Sequence, residues 1–317
     1  MSDQQKYRTS ADPIDRRGML ECMAWAGAGV VWTLAGGVAS SALVTGADAK
    51  AATAAGLTFV QISDSHIGFK KPANPDPLGT LQETIAHIRA LTVTPDFVLH
   101  TGDITHLASP EQFDTARSAL AEIGVPIHFV PGEHDILNGT DPRPYLDRFG
   151  QGAKGDGWYS FDIAGVHFIG LVNVVHLGDH GQGTLGDDQI AWLKDDVAAL
   201  STSTPIVVFS HFPLWSLYPD WGWGTADALA ALAALKRFGS VTVLNGHIHQ
   251  VQQTVEGHMS FHTARSTAYP QPAPGVGPGP GPLALPPEKL RTAIGLRSVT
   301  RRPGRGSLAI VDAVLAG

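Results

Sequence analysis

Pro131-Gly132-Glu133-His134-Asp135, preceded by the apolar run Val125-Pro126-Ile127-His128-Phe129-Val130, decides how this chain is read. The run predicts a short buried strand, and Pro131-Gly132 ends it in a turn. A carboxylate, an imidazole and a second carboxylate then stand together at a strand end, which in an open α/β sheet is where ligands bind. A lone triplet of this kind is an ordinary polar turn. Four other turns of the same build change its weight. Leu57 to Ile62 runs into Asp64-Ser65-His66, and Asp96 to His100 runs into Thr101-Gly102-Asp103. Further on, Pro205 to Phe209 ends at Ser210-His211, and Val241 to Leu244 ends at Asn245-Gly246-His247-Ile248-His249.

Helical patterns separate these strands. Leu78, Leu81, Ile85, Ile88 and Leu91 recur at helical spacing, and Ser109-Pro110-Glu111 opens a second helix that Gly124 closes. Strand, helix, strand, helix, strand predicts an α/β domain whose first sheet is parallel. Tyr159 to Asn173 alternates around Gly165 as a hairpin, and Leu185–Leu200 and Thr225–Phe238 are helical. Val251–Val255 and His258–Thr263 form an antiparallel pair, Tyr269–Pro287 is a Pro/Gly-rich loop, and Ser307–Val314 returns as a last strand.

Composition sets the class. The 317 residues are 43% hydrophobic and 16% charged, with 36 Gly and 22 Pro, as expected of a globular chain with a substantial core. A formal net charge of −7 argues against a broad basic surface for nucleic acid or anionic membrane. Arg16-Arg17-Gly18-Met19-Leu20 precedes an Ala/Gly-rich apolar tract from Met23 to about Leu43, followed by Ala47-Asp48-Ala49 as a small-x-small cleavage site. This resembles a bacterial twin-arginine export signal. The expectation is a mature chain starting near Lys50, periplasmic or secreted, that uses the twin-arginine machinery and has no stable membrane anchor. The one cysteine, Cys22, would leave with the signal, so the mature chain offers no thiolate ligand. By sequence the chain divides into an export segment (1–49), a catalytic domain (50–265), the Pro/Gly-rich loop (266–287) and a segment (288–317) returning to the domain.

Any one strand-end His or Asp is more often a turn or capping residue than a ligand. Five such turns on successive strands of one sheet would meet at one edge. Oxygen and imidazole donors without sulfur suit Mn, Fe, Co or Zn. There are enough donors for two ions, and two metals about 3.5–4 Å apart form a clamp for displacement at phosphorus.

Taken in order, Asp64-x-His66, Gly102-Asp103, Gly132-Glu133-His134-Asp135, His211 and Gly246-His247-x-His249 resemble the motif set of the calcineurin-like metallophosphoesterases. The likeness is greatest to the branch of cyclic-nucleotide and glycerophosphodiester phosphodiesterases, and Gly183-x-Leu185 with Gln189, Trp192 and Leu193 fits the same branch. The resemblance implies a four-layer αββα sandwich of two mixed sheets flanked by helices. It implies Asp64, His66 and His249 on one metal, Glu133, His211 and His247 on the other, and Asp103 bridging. The pair would be divalent or mixed-valence Fe, Mn, Zn or Co. The resemblance further implies in-line attack by a metal-bridging hydroxide on a small phosphodiester or phosphomonoester. His134 would touch the phosphate and protonate the leaving oxygen, with Asp135 orienting it. A catalytically weak metal- or phosphate-binding protein is the competing reading, and the acidic balance speaks against a nuclease.

One position departs from the family. Glu133 stands where Asn is usual, so a charged carboxylate replaces a neutral amide oxygen. Glu133 is expected to ligate, to tighten the second site and to suit a more highly charged ion such as ferric iron; the alternative is that it swings away and one metal is lost. Phe212-Pro213-Leu214-Trp215, Tyr218, Trp221 and Trp223 form either a pocket wall or a local aromatic core. Arg265 and the segment after it are placed to close over the site. His106 is expected behind the ligands, and His100, His128 and His167, inside strands, as core histidines. Asp162, Asp187 and Asp188 are expected as solvated turn or helix-start residues.

Overall fold

The computed structural model describes residues 30–35, 38–43, 56–302 and 308–316. One sheet holds seven strands: β1 (Val30–Ala35), β2 (Val38–Leu43), β3 (Leu57–Ile62), β4 (Phe97–Thr101), β5 (Ile127–Val130), β12 (Gly295–Arg301) and β13 (Leu308–Val314). The other holds six: β6 (Tyr159–Ile163), β7 (Val166–Gly170), β8 (Ile206–Ser210), β9 (Val241–Asn245), β10 (Gln253–Glu256) and β11 (Met259–Thr263). In the first sheet β3, β4 and β5 run parallel, while β12 and β13 are antiparallel additions on the β3 side. In the second, β7, β8, β9 and β11 are parallel, and the flanking β6 and β10 are antiparallel. Both sheets are therefore mixed.

The sheets face each other through Leu57, Phe59, Phe97, Leu99, Phe168, Val207, Phe209 and Leu244, all buried. These are alternate residues of their strands, as the two-residue side-chain period requires. The other alternates of the first sheet, Val60, Ile62 and Val98, lie under α1 (Pro77–Arg89) and α2 (Pro110–Ala121). Those of the second, Ile169, Ile206, Val208 and Val243, lie under α4 (Asp187–Ala198) and α5 (Ala228–Leu235). The result is helix, sheet, sheet, helix: four layers. Because β3, β4, β8 and β9 are covered on both faces, they are buried along their whole length and mostly apolar, with Thr58, Gln61, His100 and Thr242 as the polar exceptions inside them.

Local chemistry sets the helix starts. Asp76 accepts from Gly79 N ahead of α1, and Ser109 accepts from Gln112 N ahead of α2, each followed by proline at the first turn. Asp187 and Asp188 lie in the first turn of α4, where acidic groups offset the helix dipole. Besides β1 and β2, elements outside the sequence expectation are α3 (Arg143–Phe149), α6 (Pro287–Ala293) and β12. The two helices are seven residues long and opened by proline-containing turns, too short for a periodic signal. β12 lies where the sequence shows mixed polar and apolar residues, including the fully buried Arg297.

The hairpin of β1 and β2 belongs to the apolar tract assigned to the export segment, and Trp32 is in register with Ile310 of β13. Arg16-Arg17, Cys22, Ala47-Asp48-Ala49 and Lys50 lie outside the described residues. Among the described residues no helix is long and apolar enough to cross a membrane.

Candidate metal centre

The five turns meet at one rim, where the C-terminal ends of β3, β4, β5, β8 and β9 converge. Ligand atoms of Asp64, His66, Asp103 and His249 gather in one group, and those of Glu133, His211 and His247 in a second. Asp103 Oδ2 lies between them, 3.4 Å from His66 Nε2 and 3.5 Å from His211 Nε2. Asp64 Oδ1 is 3.2 Å from His249 Nε2, and His66 Nε2 is 3.2 Å from the same nitrogen. Across the site, Glu133 spans two imidazoles, with Oε2 2.7 Å from His211 Nε2 and Oε1 3.1 Å from His247 Nδ1.

The backbone is strained to achieve this. Asp64, His66, Asp103, His247 and His249 all take positive φ, between 44° and 69°. That region is disfavoured for residues with a Cβ, and such strain concentrates at functional sites.

Backbone carbonyls behind the ligands fix which nitrogen points inward. His211 Nδ1–H donates to Thr101 O at 2.7 Å, and His249 Nδ1–H donates to Tyr269 O at 2.6 Å. A carbonyl only accepts, so each of these rings keeps its Nε2 lone pair for the site. Asp64 Oδ2, Glu133 Oε2, His211 Nε2 and His247 Nδ1 are buried and make no hydrogen bond of good geometry, although Glu133 stands at ion-pair distance from both imidazoles. Buried polar atoms are ordinarily satisfied, and four ligand-type atoms converging in this way fit metal cations.

The carboxylates and imidazoles of the set also act on one another's charges. Burial opposes charge on Asp64 and Glu133, yet His249 holds Asp64 below the usual carboxylate range. His247 and His211 hold Glu133 well below it. Burial likewise opposes a charge on His211, but the Asp103 and Glu133 carboxylates push it well up. His66 goes the other way, driven well down by burial and by the imidazoles of His249, His134 and His106.

His134 is half-buried beside this set, its backbone nitrogen donating to Asp103 Oδ1 at 2.9 Å and its Nδ1–H to His106 O at 2.9 Å. Asp135 does not hold the His134 ring. Its carboxylate accepts from the backbone nitrogens of Ile104 (3.0 Å), Thr105 (2.8 Å) and Gly132 (3.0 Å) and from Thr105 Oγ1 (2.9 Å). It therefore clamps the Asp103 turn to the Glu133 turn. Burial and the Asp103 charge raise its pKa to about 7.

Several residues of the site carry no sequence signal. Tyr269 stacks on His66 with centroids 4.8 Å apart and lies 4.8 Å from the His249 ring. Ser266 Oγ donates to Asp64 O, and Asn173 and Asn245 both donate to Phe212 O, setting the turn after His211. Each is a common residue in a loop or strand end, visible only once the chain is folded.

Other expectations sort plainly. The Phe212 ring lies 4.0 Å from His247, but Trp221 and Trp223 contact each other and Trp215 packs on Phe261, so most of the aromatic loop is a local core. Arg265 donates to Ala293 O rather than closing over the site. His100 is a buried partner of Ser65 Oγ, and His128 stacks on Phe161. His167 is buried between Asp162 and Asp196, so Asp162 is an ion-pair partner and not merely a solvated turn residue. Gln189 ties α4 to Val172 through both its oxygen and its nitrogen.

Residues 57–251 match the family model described as calcineurin-like phosphoesterase. The chain belongs to that family. It is 28% identical over 184 residues to the glycerophosphodiester phosphodiesterase GpdQ of Enterobacter lignolyticus, covering 54% of this chain and 62% of that protein. It is 24% identical over 219 residues to a 3′,5′-cyclic-nucleotide phosphodiesterase of Nostoc, covering 67% and 79% respectively. The chain thus spans less than two thirds of the GpdQ relative. Among solved structures, a dimetal phosphatase from Danio rerio superposes with TM-score 0.59 at 17% identity, over 81% of this chain and 99% of that one. A purple acid phosphatase from yellow lupin gives 0.60 at 15%, over 82% and 52%. At these identities the two structures establish the fold alone: a metallophosphoesterase sandwich of two mixed sheets flanked by helices.

Proposed function

We propose that this chain is an exported, dinuclear phosphodiesterase acting on small-molecule phosphodiesters. The observation that carries the reading is the convergence of two groups of buried ligand-type side chains, four of whose polar atoms make no hydrogen bond of good geometry. Asp64, His66 and His249 would hold one ion, Glu133, His211 and His247 the other, with Asp103 shared. When bound, such a pair supplies Lewis-acid charge neutralisation at phosphorus and activation of water. The chain's own residues do the rest. With Nδ1–H committed to the His106 carbonyl, protonated His134 offers Nε2–H to a phosphoryl oxygen and to the departing oxygen, which takes that proton as its bond to phosphorus breaks. Asp135 keeps the Asp103 and Glu133 turns at fixed separation, and Tyr269 and Phe212 wall the ligands with apolar surface.

The diesterase reading is supported by the names of the relatives. Export is supported by the twin arginines, the Ala/Gly-rich tract and the Ala47-Asp48-Ala49 site. The test is turnover of bis-p-nitrophenyl phosphate against p-nitrophenyl phosphate by metal-stripped chain reloaded with Mn, Fe, Co or Zn. Faster diester hydrolysis is expected. Hydrolysis of neither substrate under any loading, with phosphate still bound, makes the chain a binding protein instead. Mass spectrometry of the exported chain is expected to find an N-terminus near Lys50, and an intact N-terminus overturns cleavage.

A further inference from the structure

Among the described imidazoles at the site, His106 is the one that the proposed function leaves without a role, although its ligand atoms gather with those of His66 and His134. Its ring lies face to face with His134, centroids 4.7 Å apart and planes 19° apart. The edge of His66 approaches the same His134 ring at 4.9 Å and 77°, and His106 itself abuts Phe69 at 5.1 Å and 90°. His106 Nδ1 also lies 3.4 Å from His66 Nδ1. The His134 ring is therefore fixed by a stacked neighbour, by a second ring's edge and by its bond to the His106 carbonyl.

That carbonyl is itself held from behind. Gln112, in the first turn of α2, accepts through Oε1 from His106 N at 3.2 Å and from Leu107 N at 2.8 Å. His106 N also approaches Ile67 O at 3.0 Å. Room for the Gln112 side chain comes from Gly68, where a Cβ would stand 2.1 Å from Gln112 Nε2. The chain of contacts runs from a helix start, through a glutamine amide, to the backbone and ring of His106, and from there to His134.

We propose that His106 and Gln112 are positioning residues for His134, holding its Nδ1 side on the His106 carbonyl and fixing its ring orientation so that the Nε2–H of the protonated ring meets the leaving oxygen of the substrate. The inference rests on reading His134 as the proton donor of a phosphodiesterase. Proton delivery matters most when the leaving group is a poor one. Loss of His134 alignment therefore slows an alkyl glycerophosphodiester more than bis-p-nitrophenyl phosphate, whose leaving group departs as a stable phenolate.

The experiment compares wild type with His106→Ala, His106→Phe and Gln112→Leu, each loaded with zinc and checked for metal content. His106→Ala and Gln112→Leu are expected to lose on the order of tenfold to a hundredfold in kcat on the alkyl diester, and several-fold less on the nitrophenyl diester. His106→Phe keeps a ring on His134 and is expected to recover most of the loss. Independently of turnover, imidazole 1H–15N correlations of the zinc-loaded protein, recorded at a pH where the His134 ring has lost its Nε2 proton, are expected to show His134 as a single Nδ1–H tautomer in wild type and a mixture in His106→Ala and Gln112→Leu. Equal losses on both substrates, no recovery in His106→Phe, or an unchanged His134 tautomer would overturn the proposal. If zinc-loaded wild type hydrolyses neither diester, the functional reading fails, and the tautomer measurement still decides whether His106 and Gln112 position His134.

Discussion

Gly132 lies flush against Asp103: a Cβ at position 132 would stand 2.1 Å from Asp103 Oδ1 and 2.3 Å from its backbone nitrogen. Gly246 stands in the same relation to the β3 turn, 2.1 Å from Ser63 Oγ and 2.8 Å from Asp64 Oδ2 by the same measure. The glycine in each of these motifs is thus the space into which the neighbouring strand's carboxylate fits. Gly132→Ala is expected to displace Asp103 from between the two ligand groups. A displacement near 1 Å costs on the order of a hundredfold in rate. Elemental analysis should show bound metal falling with it. Full metal content at wild-type rate would refute the idea that this close approach shapes the site.

Glu133 is the second test. Its two carboxylate oxygens reach His211 and His247, so the longer side chain bridges the second ligand group instead of swinging away. Converting it to a neutral amide of the same shape removes one of three carboxylate charges without opening a cavity. Glu133→Gln is expected to weaken the second ion by about tenfold or more, since even groups behind the ligands change affinity 10–100-fold. The first ion should change less. Competition with a calibrated chelator reads both affinities, and equal affinities in variant and wild type would remove Glu133 from the ligand set.

Much of this was legible before folding, and for a physical reason. Strands covered on both faces are largely apolar, so β3, β4, β8 and β9 stand out, and the polar residues after each one mark the rim. The candidate ligands sit just beyond those strand ends. What stayed hidden depends on distant partners. Asp135 carries the same charge as a ligand, but its bonds go to amides some thirty residues away. Tyr269 lies in a Pro/Gly-rich stretch with no periodicity, and its place beside His66 appears only when the loop is docked. β12 escaped because the fully buried Arg297 breaks its apolar pattern.

His167 should give the fold a measurable pH dependence away from the metal site. Burial disfavours its charged form, but the carboxylates of Asp196 and Asp162, each 2.9 Å away, outweigh burial and raise its pKa above the ordinary 6.5. Asp196 is lowered from 3.8, because its bonds to His167 and Ser160 overcome its own partial burial. A raised histidine stabilises the fold fully below its unfolded pKa and loses that contribution as pH rises through the folded value. The lowered aspartate contributes above its unfolded pKa and fades as pH falls through the folded one. The pair therefore works best between about pH 4 and 6.5 and weakens above that. In urea unfolding, the gap between wild type and His167→Gln should be widest near pH 5.5 and narrow by pH 9. A gap that stays constant or widens with pH would contradict the assignment.

Arg297 supplies the strongest prediction on stability. It is fully buried on β12, paired with Asp312 through Nε at 2.9 Å and Nη2 at 3.0 Å. Its remaining donors reach Gln61 Oε1 at 3.2 Å and Thr263 O at 2.9 Å, joining the first sheet to the end of β11 in the second. Gln61 continues the link by donating to Asn245 O at 3.2 Å, just before Gly246 and His247. Removing one member of such a pair strands the other and leaves carbonyls unsatisfied, which costs about 3–5 kcal/mol. Arg297→Met should lose that much in chemical denaturation, and adding Asp312→Leu should return part of it, because the unpaired carboxylate is then gone. A loss under about 1 kcal/mol in the single variant would mean that apolar packing joins the sheets here and the ion pair is incidental. Because Arg297 touches no ligand, metal affinity should fall far less than stability, so the two roles separate in one pair of variants.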